Sequence, residues 1–316
     1  MIFRLIFHGK DVTAGIPFEL HNSLFNFNGP LGGDLQHSDI GYFITKKIIN
    51  PWRNRSRCYS RSILFYNSTV FLVGDGLFFI SASVLSKYKS AEKTSASLDF
   101  EKGTTKRDAM QVVANGTVAL ILVVGYGFFD LLPLLLTNQT VIPQITSPFF
   151  VGVFIAFAVH NADTWATEIG LLSNRKPRLV TNLRKQVMQG TSGGITIDGL
   201  AASLFGAMVI AGVYFSAYLT IPPNSHDIFM IGLAMGVITI AGLIGSVVDS
   251  IEGATIQGIY YCEPCAKETE SNPHPRCGNP TTLIRGNIVI NNDIVNVSSA
   301  FIVAILGIII ILLIRF

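Results

Sequence analysis

His160, Asn161, Asp163 and Glu168 follow an apolar run from Phe149 to Val159, so an imidazole, an amide and two carboxylates gather where a hydrophobic segment reaches a polar boundary. Ionisable groups at membrane depth are costly and persist mainly where they line a polar cavity or do chemistry. The pattern recurs at Gly245-Ser246-Val247-Val248-Asp249-Ser250 and at Asn291-Asn292-Asp293-Ile294-Val295-Asn296. Three hydrophobic segments thus each end or begin on a carboxylate among small or amide residues. That predicts one shared polar site near a membrane face.

Helical spacing puts Asp163 on one face with His160 at i−3 and Thr167 at i+4, whereas Glu168 falls well round the cylinder. For both carboxylates to hold one metal the helix would have to break; otherwise Glu168 serves another neighbour. The cost of burying Asp163 favours a functional role for it, with a salt bridge to a loop arginine as the competing reading, and a lone histidine such as His160 is more often a hydrogen-bonded core residue than a ligand. Gly245, Asp249, Gly253 and Gln257 recur at i+4. Close helix packing accounts for the glycines and leaves Asp249 unexplained. Facing carboxylates at Asp163 and Asp249 would suit Mg²⁺, which takes oxygen ligands and bridges phosphates.

Gly190-Thr191-Ser192-Gly193-Gly194 precedes the apolar run that starts at Ile195, which predicts a turn opening directly into a helix. Backbone N–H groups at such a helix end form a phosphate seat, and glycine lets the phosphate approach closely. Arg184 and Lys185 stand just upstream and could add charge-assisted contacts. An ordinary glycine-rich loop capped by Thr191 or Ser192 is the alternative. Asn292, Asp293 and Asn296 lie at i+4 and i+3 spacings at the start of the last apolar run. With Asn291 they fit helix capping, although four polar groups exceed what one cap needs.

Cys262 and Cys265 are separated by two residues, as are His274 and Cys277, which supplies four nitrogen and sulfur ligands for a closed tetrahedral Zn²⁺ site. A site saturated by protein ligands orders a loop rather than catalysing a reaction. Free thiols are the alternative. Clustering inside a polar connection argues against a disulfide framework.

Of 316 residues, 49% are hydrophobic and 14% charged, with a mean hydropathy of +0.48. Soluble domains carry about a quarter charged residues, so the composition predicts an all-α polytopic integral membrane protein. The net charge of +3 is spread over short loops, which makes nucleic acid a poor partner. Apolar windows of roughly 20 residues fall at 63–86, 112–136, 147–168, 195–219, 228–249 and 294–314. The connections 87–110, 170–194 and 250–290 carry lysine and arginine, whereas 137–146 and 220–227 carry none. Positive-inside bias then places the three basic connections, and every motif named above, on or near the cytoplasmic side of the cell membrane.

Residues 1–62 form an atypical polar and basic segment ahead of an integral membrane domain over 63–316, within which 258–290 is the Cys/His loop. The segment holds eight basic residues, yet six spans would put it outside. Three readings stand: a re-entrant 63–86, a further membrane-entering element within 1–62, or an unusual N-terminal sequence. No apolar core with a small-residue cleavage site marks a signal peptide there.

Five ordered motifs carry a resemblance: Asn161 to Gly170, Lys176 to Thr181, Gly190 to Gly194, Gly245 to Ser250, and Gly253 to Gln257. From about Lys102 onward, the chain resembles the polytopic membrane family that includes transmembrane protein 19 and plant phytyl-phosphate kinase. The Cys262/Cys265/His274/Cys277 loop is similar to a variant among prokaryotic members, while 1–62 departs from the family. The resemblance implies phosphorylation of an isoprenoid monophosphate, such as phytyl or geranylgeranyl phosphate, to the diphosphate, with CTP or another nucleoside triphosphate as donor. Asp163 and Asp249 would then hold Mg²⁺, Gly193 and Gly194 would cradle phosphates, and Lys185 or Arg184 would offset developing charge. Asn161, Glu168, Gly190, Thr191, Ser192, Ser250, Gln257, Asn292, Asp293 and Asn296 are the further candidates for substrate or nucleotide contact. A transporter using intramembrane carboxylates is the rival reading, and a structural membrane protein with a zinc loop ranks third. The oligomeric state is not legible in the sequence.

Overall fold

The computed structural model describes residues 70–97, 109–132, 146–219 and 227–315. Every described residue belongs to one unit, Ser56–Phe316. The basic segment 1–62 and the polar stretch Lys102 to Asp108 lie outside the described residues.

Among the described residues, seven helices run in order: α1 (Val70–Lys87), α2 (Ser90–Ser97), α3 (Ala109–Tyr126), α4 (Pro148–Gly170), α5 (Ile197–Leu219), α6 (Ile228–Thr255) and α7 (Asn292–Arg315). All but α2 are long and apolar enough to cross a membrane, α3 by way of a π-helical turn at Gly127–Leu131. Alpha-helix is the form in which a spanning segment satisfies its own backbone groups in lipid. The fifth apolar window extends beyond its expected end: α6 runs to Thr255, so Asp249 sits inside the helix rather than at its end.

Burial singles out α4 as the central rod, with 72% of it buried against no more than 44% of any other span. It packs against α3, α5, α6 and α7. Small residues make the contacts with α6 close: a Cβ at Gly242 would lie 3.1 Å from that of Ala158, and one at Gly245 would lie 2.3 Å from Val159. Positions on the two helices rise together, so α4 and α6 run parallel. One turn beyond the Val159–Gly245 contact stand Asp163 and Asp249, at corresponding heights on neighbouring rods.

Helices are not the whole fold, and the all-α expectation needs correction. The connection after α4 forms a sheet in the order β2-β1-β3 from β1 (Arg178–Leu179), β2 (Asn182–Gln186) and β3 (Gly194–Ile195). The connection after α6 forms a second, ordered β5-β4-β6, from β4 (Ile259–Cys262), β5 (Lys267–Thr269) and β6 (Thr282–Arg285). Pairing is antiparallel throughout, and each strand is short.

At the other end of the bundle, Ser147 Oγ donates to Asp130 Oδ2 at 2.6 Å. That hydrogen bond ties the π-turn after α3 to the start of α4. A ring cluster of Phe71, Tyr126, Phe150, Phe154 and Tyr214 fills the adjoining core.

Candidate functional site

Asp163 and Thr167, one helical turn apart on α4, open into a cleft of about 60 Å³ closed by Gly190, Thr191, Gly193 and Gly194, with Ser246 and Ser250 contributed by α6. Gly170 of α4 and Thr196, Gly199 and Leu200 at the start of α5 complete the wall. The i+4 spacing of Ser246 and Ser250 puts both hydroxyls on the face that meets α4. Asp249, between them in sequence, is 2% exposed and is not among the residues that line the cleft. The accessible side-chain donors are carboxylate and hydroxyl oxygens, a set that suits a hard cation.

The turn does not lead straight into a helix as expected. Gly194 and Ile195 form β3, Thr196 Oγ1 accepts the Gly199 N–H at 3.0 Å as the cap, and α5 begins at Ile197. Ser192 donates to Gln257 Oε1 at 2.6 Å, which pins the turn to the end of α6. Gly193 has a φ of +80°, and a Cβ there would fall 2.4 Å from that of Ala254. Glycine is required by the packing of the turn on α6, whatever ligand the turn meets.

Several motif residues stand away from the cleft. Asn161 Nδ2 donates to Gly206 O at 2.8 Å, while its Oδ1 accepts from Ser81 Oγ at 2.9 Å, so it joins α4 to α1 and α5. His160 is buried in the core beside the Phe78 ring. Helix α4 continues unbroken past Glu168, whose carboxylate accepts from Lys93 Nζ at 2.7 Å and from Ser86 Oγ. Its neighbour is therefore α2, not the face that carries Asp163. At the start of α7, Asn291 Oδ1 accepts the Ile294 N–H at 3.0 Å, and Asn292, Asp293 and Asn296 do not line the cleft.

Beside the cleft lies a wider cavity of about 790 Å³, lined by Arg175, Lys176, Lys185, Gln189, Glu268 and Arg285 among others. Pro177 and Thr191 belong to both cavities. Lys185 of β2 lines this basin, and Arg184 is absent from its lining. Sequence reasoning treated Arg175 and Arg285 only as topological signals, used Lys176 for topology and as the start of one family motif, and gave Ser246 and Thr167 no role. The i+4 pairs Asp163/Thr167 and Ser246/Ser250 were the available clue.

Cys262, Cys265, His274 and Cys277 bring their ligand atoms within 4.8 Å of one another. Cys262 Sγ to Cys277 Sγ is 3.5 Å, Cys265 Sγ to His274 Nδ1 is 3.7 Å and Cys277 Sγ to His274 Nδ1 is 3.3 Å. Zinc with Zn–S bonds of about 2.3 Å would impose tetrahedron edges of roughly 3.7 Å. The cluster could hold a metal ion and is compatible with zinc. A hydrogen bond from the Asn279 backbone leads in drawing the Cys277 thiol down to about 6, whereas hydrogen bonding to Cys277 leads in pushing Cys265 up to about 11.

Six long apolar helices and a polar cleft at one end of the bundle define a polytopic helical membrane protein. The chain belongs to the family described as integral membrane protein DUF92, which matches residues 59–304. It is 33% identical to Protein PGR of Arabidopsis thaliana over 191 residues, 59% of this chain and 64% of that protein. The chain therefore spans a little under two thirds of that relative's length. It is 29% identical to an uncharacterised membrane protein of Methanocaldococcus jannaschii over 195 residues, 62% of this chain and 68% of that protein. No solved structure matches. The family agrees with the resemblance carried by the five ordered motifs.

Proposed function

We propose that this chain is a membrane-embedded prenyl-phosphate kinase, transferring the terminal phosphoryl group of a nucleoside triphosphate to an isoprenoid monophosphate such as phytyl or geranylgeranyl phosphate. The observation that carries the reading is the junction at Pro177 and Thr191 between an acidic, glycine-walled cleft and a basic basin. Phosphoryl transfer needs chiefly positioning and charge neutralisation. An acidic cleft to hold a cation and a basic basin to hold anions supply both.

In the reaction a phosphate oxygen of the lipid attacks the γ-phosphorus, the bond from that phosphorus to the β-bridging oxygen breaks, and the nucleoside diphosphate leaves with the electron pair. The attacking phosphate is already anionic, so no general base is needed. Asp163 and Asp249 would hold Mg²⁺, which neutralises phosphate charge when bound; the oxygen donors that line the cleft beside Asp163 support that assignment. Gly190 to Gly194 would offer backbone N–H groups to the transferring phosphate, and Lys185 would offset its charge. The cleft has room for a phosphate group but not for a prenyl chain, so the tail would stay in the bilayer. Facing of the site toward the cytoplasm rests on the basic connections.

Transport is disfavoured by the position of the cleft. Coupling carboxylates of transporters lie near the bilayer midplane, whereas Asp163 opens toward Gly170, Pro177 and Gly190, where the chain leaves the spans. The test is purified full chain in lipid nanodiscs with Mg²⁺, CTP or ATP, and a panel of prenyl monophosphates. Prenyl diphosphate and nucleoside diphosphate should form in equal amounts. Folded protein that makes neither with any pair, and instead moves a solute across vesicles, would shift the assignment to a transporter.

A further inference from the structure

We propose that the basic basin is the seat of a polyphosphate chain, and that the strands ordered by the Cys/His cluster complete its wall. Its identification with the donor nucleotide rests on the kinase reading; the recognition of a polyphosphate does not. Arg175 and Lys176 come from the segment after α4, Lys185 from β2, Glu268 from β5 and Arg285 from β6. Four cations thus face one carboxylate in a cavity whose size falls within the roughly 300–1,000 Å³ typical of small-molecule sites.

Among the described residues, none of these four cations lies within ion-pair distance of a carboxylate. Arg285 Nε is buried with no hydrogen-bond partner among the described residues, and the guanidinium otherwise reaches Gly253 O only at 3.4 Å. A buried, unanswered donor on a cation is costly. An anion entering the basin meets the Arg285 side chain that lines it and relieves the crowding of like charges. Planar guanidinium suits phosphate oxygens geometrically, which a lone ammonium does not.

The second half of the inference follows from strand register. Strands β5 and β6 both pair with β4, through Tyr261 opposite Glu268, Cys262 opposite Lys267 and Ile259 opposite Arg285. Cys262 ends β4, Cys265 lies in the β4–β5 turn, and His274 and Cys277 lie in the connection from β5 to β6. Closing the cluster on a metal therefore fixes the hairpin that carries Glu268 and the return strand that carries Arg285. The cluster touches no ligand in the basin. It positions Arg285, the cation that does, and Glu268 of β5.

Full-length protein in nanodiscs, titrated calorimetrically with CTP and with ATP without lipid acceptor, tests both halves. Arg285→Gln should weaken binding of the nucleotide that binds by about tenfold, equivalent to about 1.4 kcal/mol, and zinc-depleted protein should weaken at least as much while its helical circular dichroism stays unchanged. Lys89→Gln, remote from the basin, should bind as wild type. Binding unaltered in zinc-loaded Arg285→Gln, or undetectable for both nucleotides, overturns the polyphosphate seat. Zinc-depleted, helical protein that binds like the loaded form overturns the coupling to the cluster. Nucleotide binding that depends on Arg285 without any transfer to a prenyl phosphate sinks the kinase reading alone, and transfer with an unchanged donor KM in Arg285→Gln sinks this proposal alone.

Discussion

Asp163 and Glu168 stand five residues apart on one helix and meet different partners. Asp163 lines the cleft, whereas Glu168 closes on a lysine that is 4% exposed, Lys93. Removing one member of a buried pair strands the other charge at a cost of about 3–5 kcal/mol. Glu168→Gln should therefore lower the thermal unfolding temperature markedly, and the Lys93→Met/Glu168→Met pair should recover most of that loss. Gly193 is constrained by packing: Gly193→Ala forces a side chain into a φ of +80° and against Ala254. Overpacking of this kind typically costs about 1–3 kcal/mol, which denaturation of the detergent-solubilised variant would measure. Types and spacings in the sequence located this cluster of polar residues. Helical spacing put Glu168 on another face from Asp163 but could not name its partner, because Lys93 lies in a polar stretch with no spacing relation to Glu168.

Helices were legible from hydropathy because a spanning segment needs an unbroken run of apolar residues. The two small sheets were not, since strands of two to five residues such as Arg178–Leu179 and Asn182–Gln186 are largely exposed and carry no alternating apolar pattern. Their pairing depends on turns, on the packing of Gly193 against α6, and in the second sheet on the cysteine and histidine cluster. Purified protein should contain about one zinc per chain by elemental analysis, as a closed four-ligand site requires. Chelation should then expose 258–290 to protease while the spans remain protected. Resistance of that loop in metal-free protein would show that the strands hold without the cluster.

Across the molecule, parallel packing of α4 and α6 puts Asp163 and Asp249 at one height, and the loops that leave both helices share one basin. The connections 170–194 and 250–290 must therefore lie on the same side of the membrane, as their common basic character suggests. An impermeant maleimide should label Lys185→Cys above the wild-type background in inside-out vesicles and not in right-side-out ones. Labelling only from the outer side would reverse the orientation. The alternation of charged and uncharged connections made this arrangement legible, but the closeness of the two basic loops depends on which spans are neighbours, and hydropathy does not report that.

The most direct test of the cleft as the seat of phosphoryl transfer is the movement of label from γ-labelled nucleotide to prenyl monophosphate, compared between wild type and Asp163→Asn in matched nanodisc preparations. The account predicts labelled prenyl diphosphate from wild type and a loss of at least about a thousandfold, roughly 4 kcal/mol of transition-state stabilisation, in a variant that keeps its helical content and unfolding temperature. Full transfer by folded Asp163→Asn would contradict it.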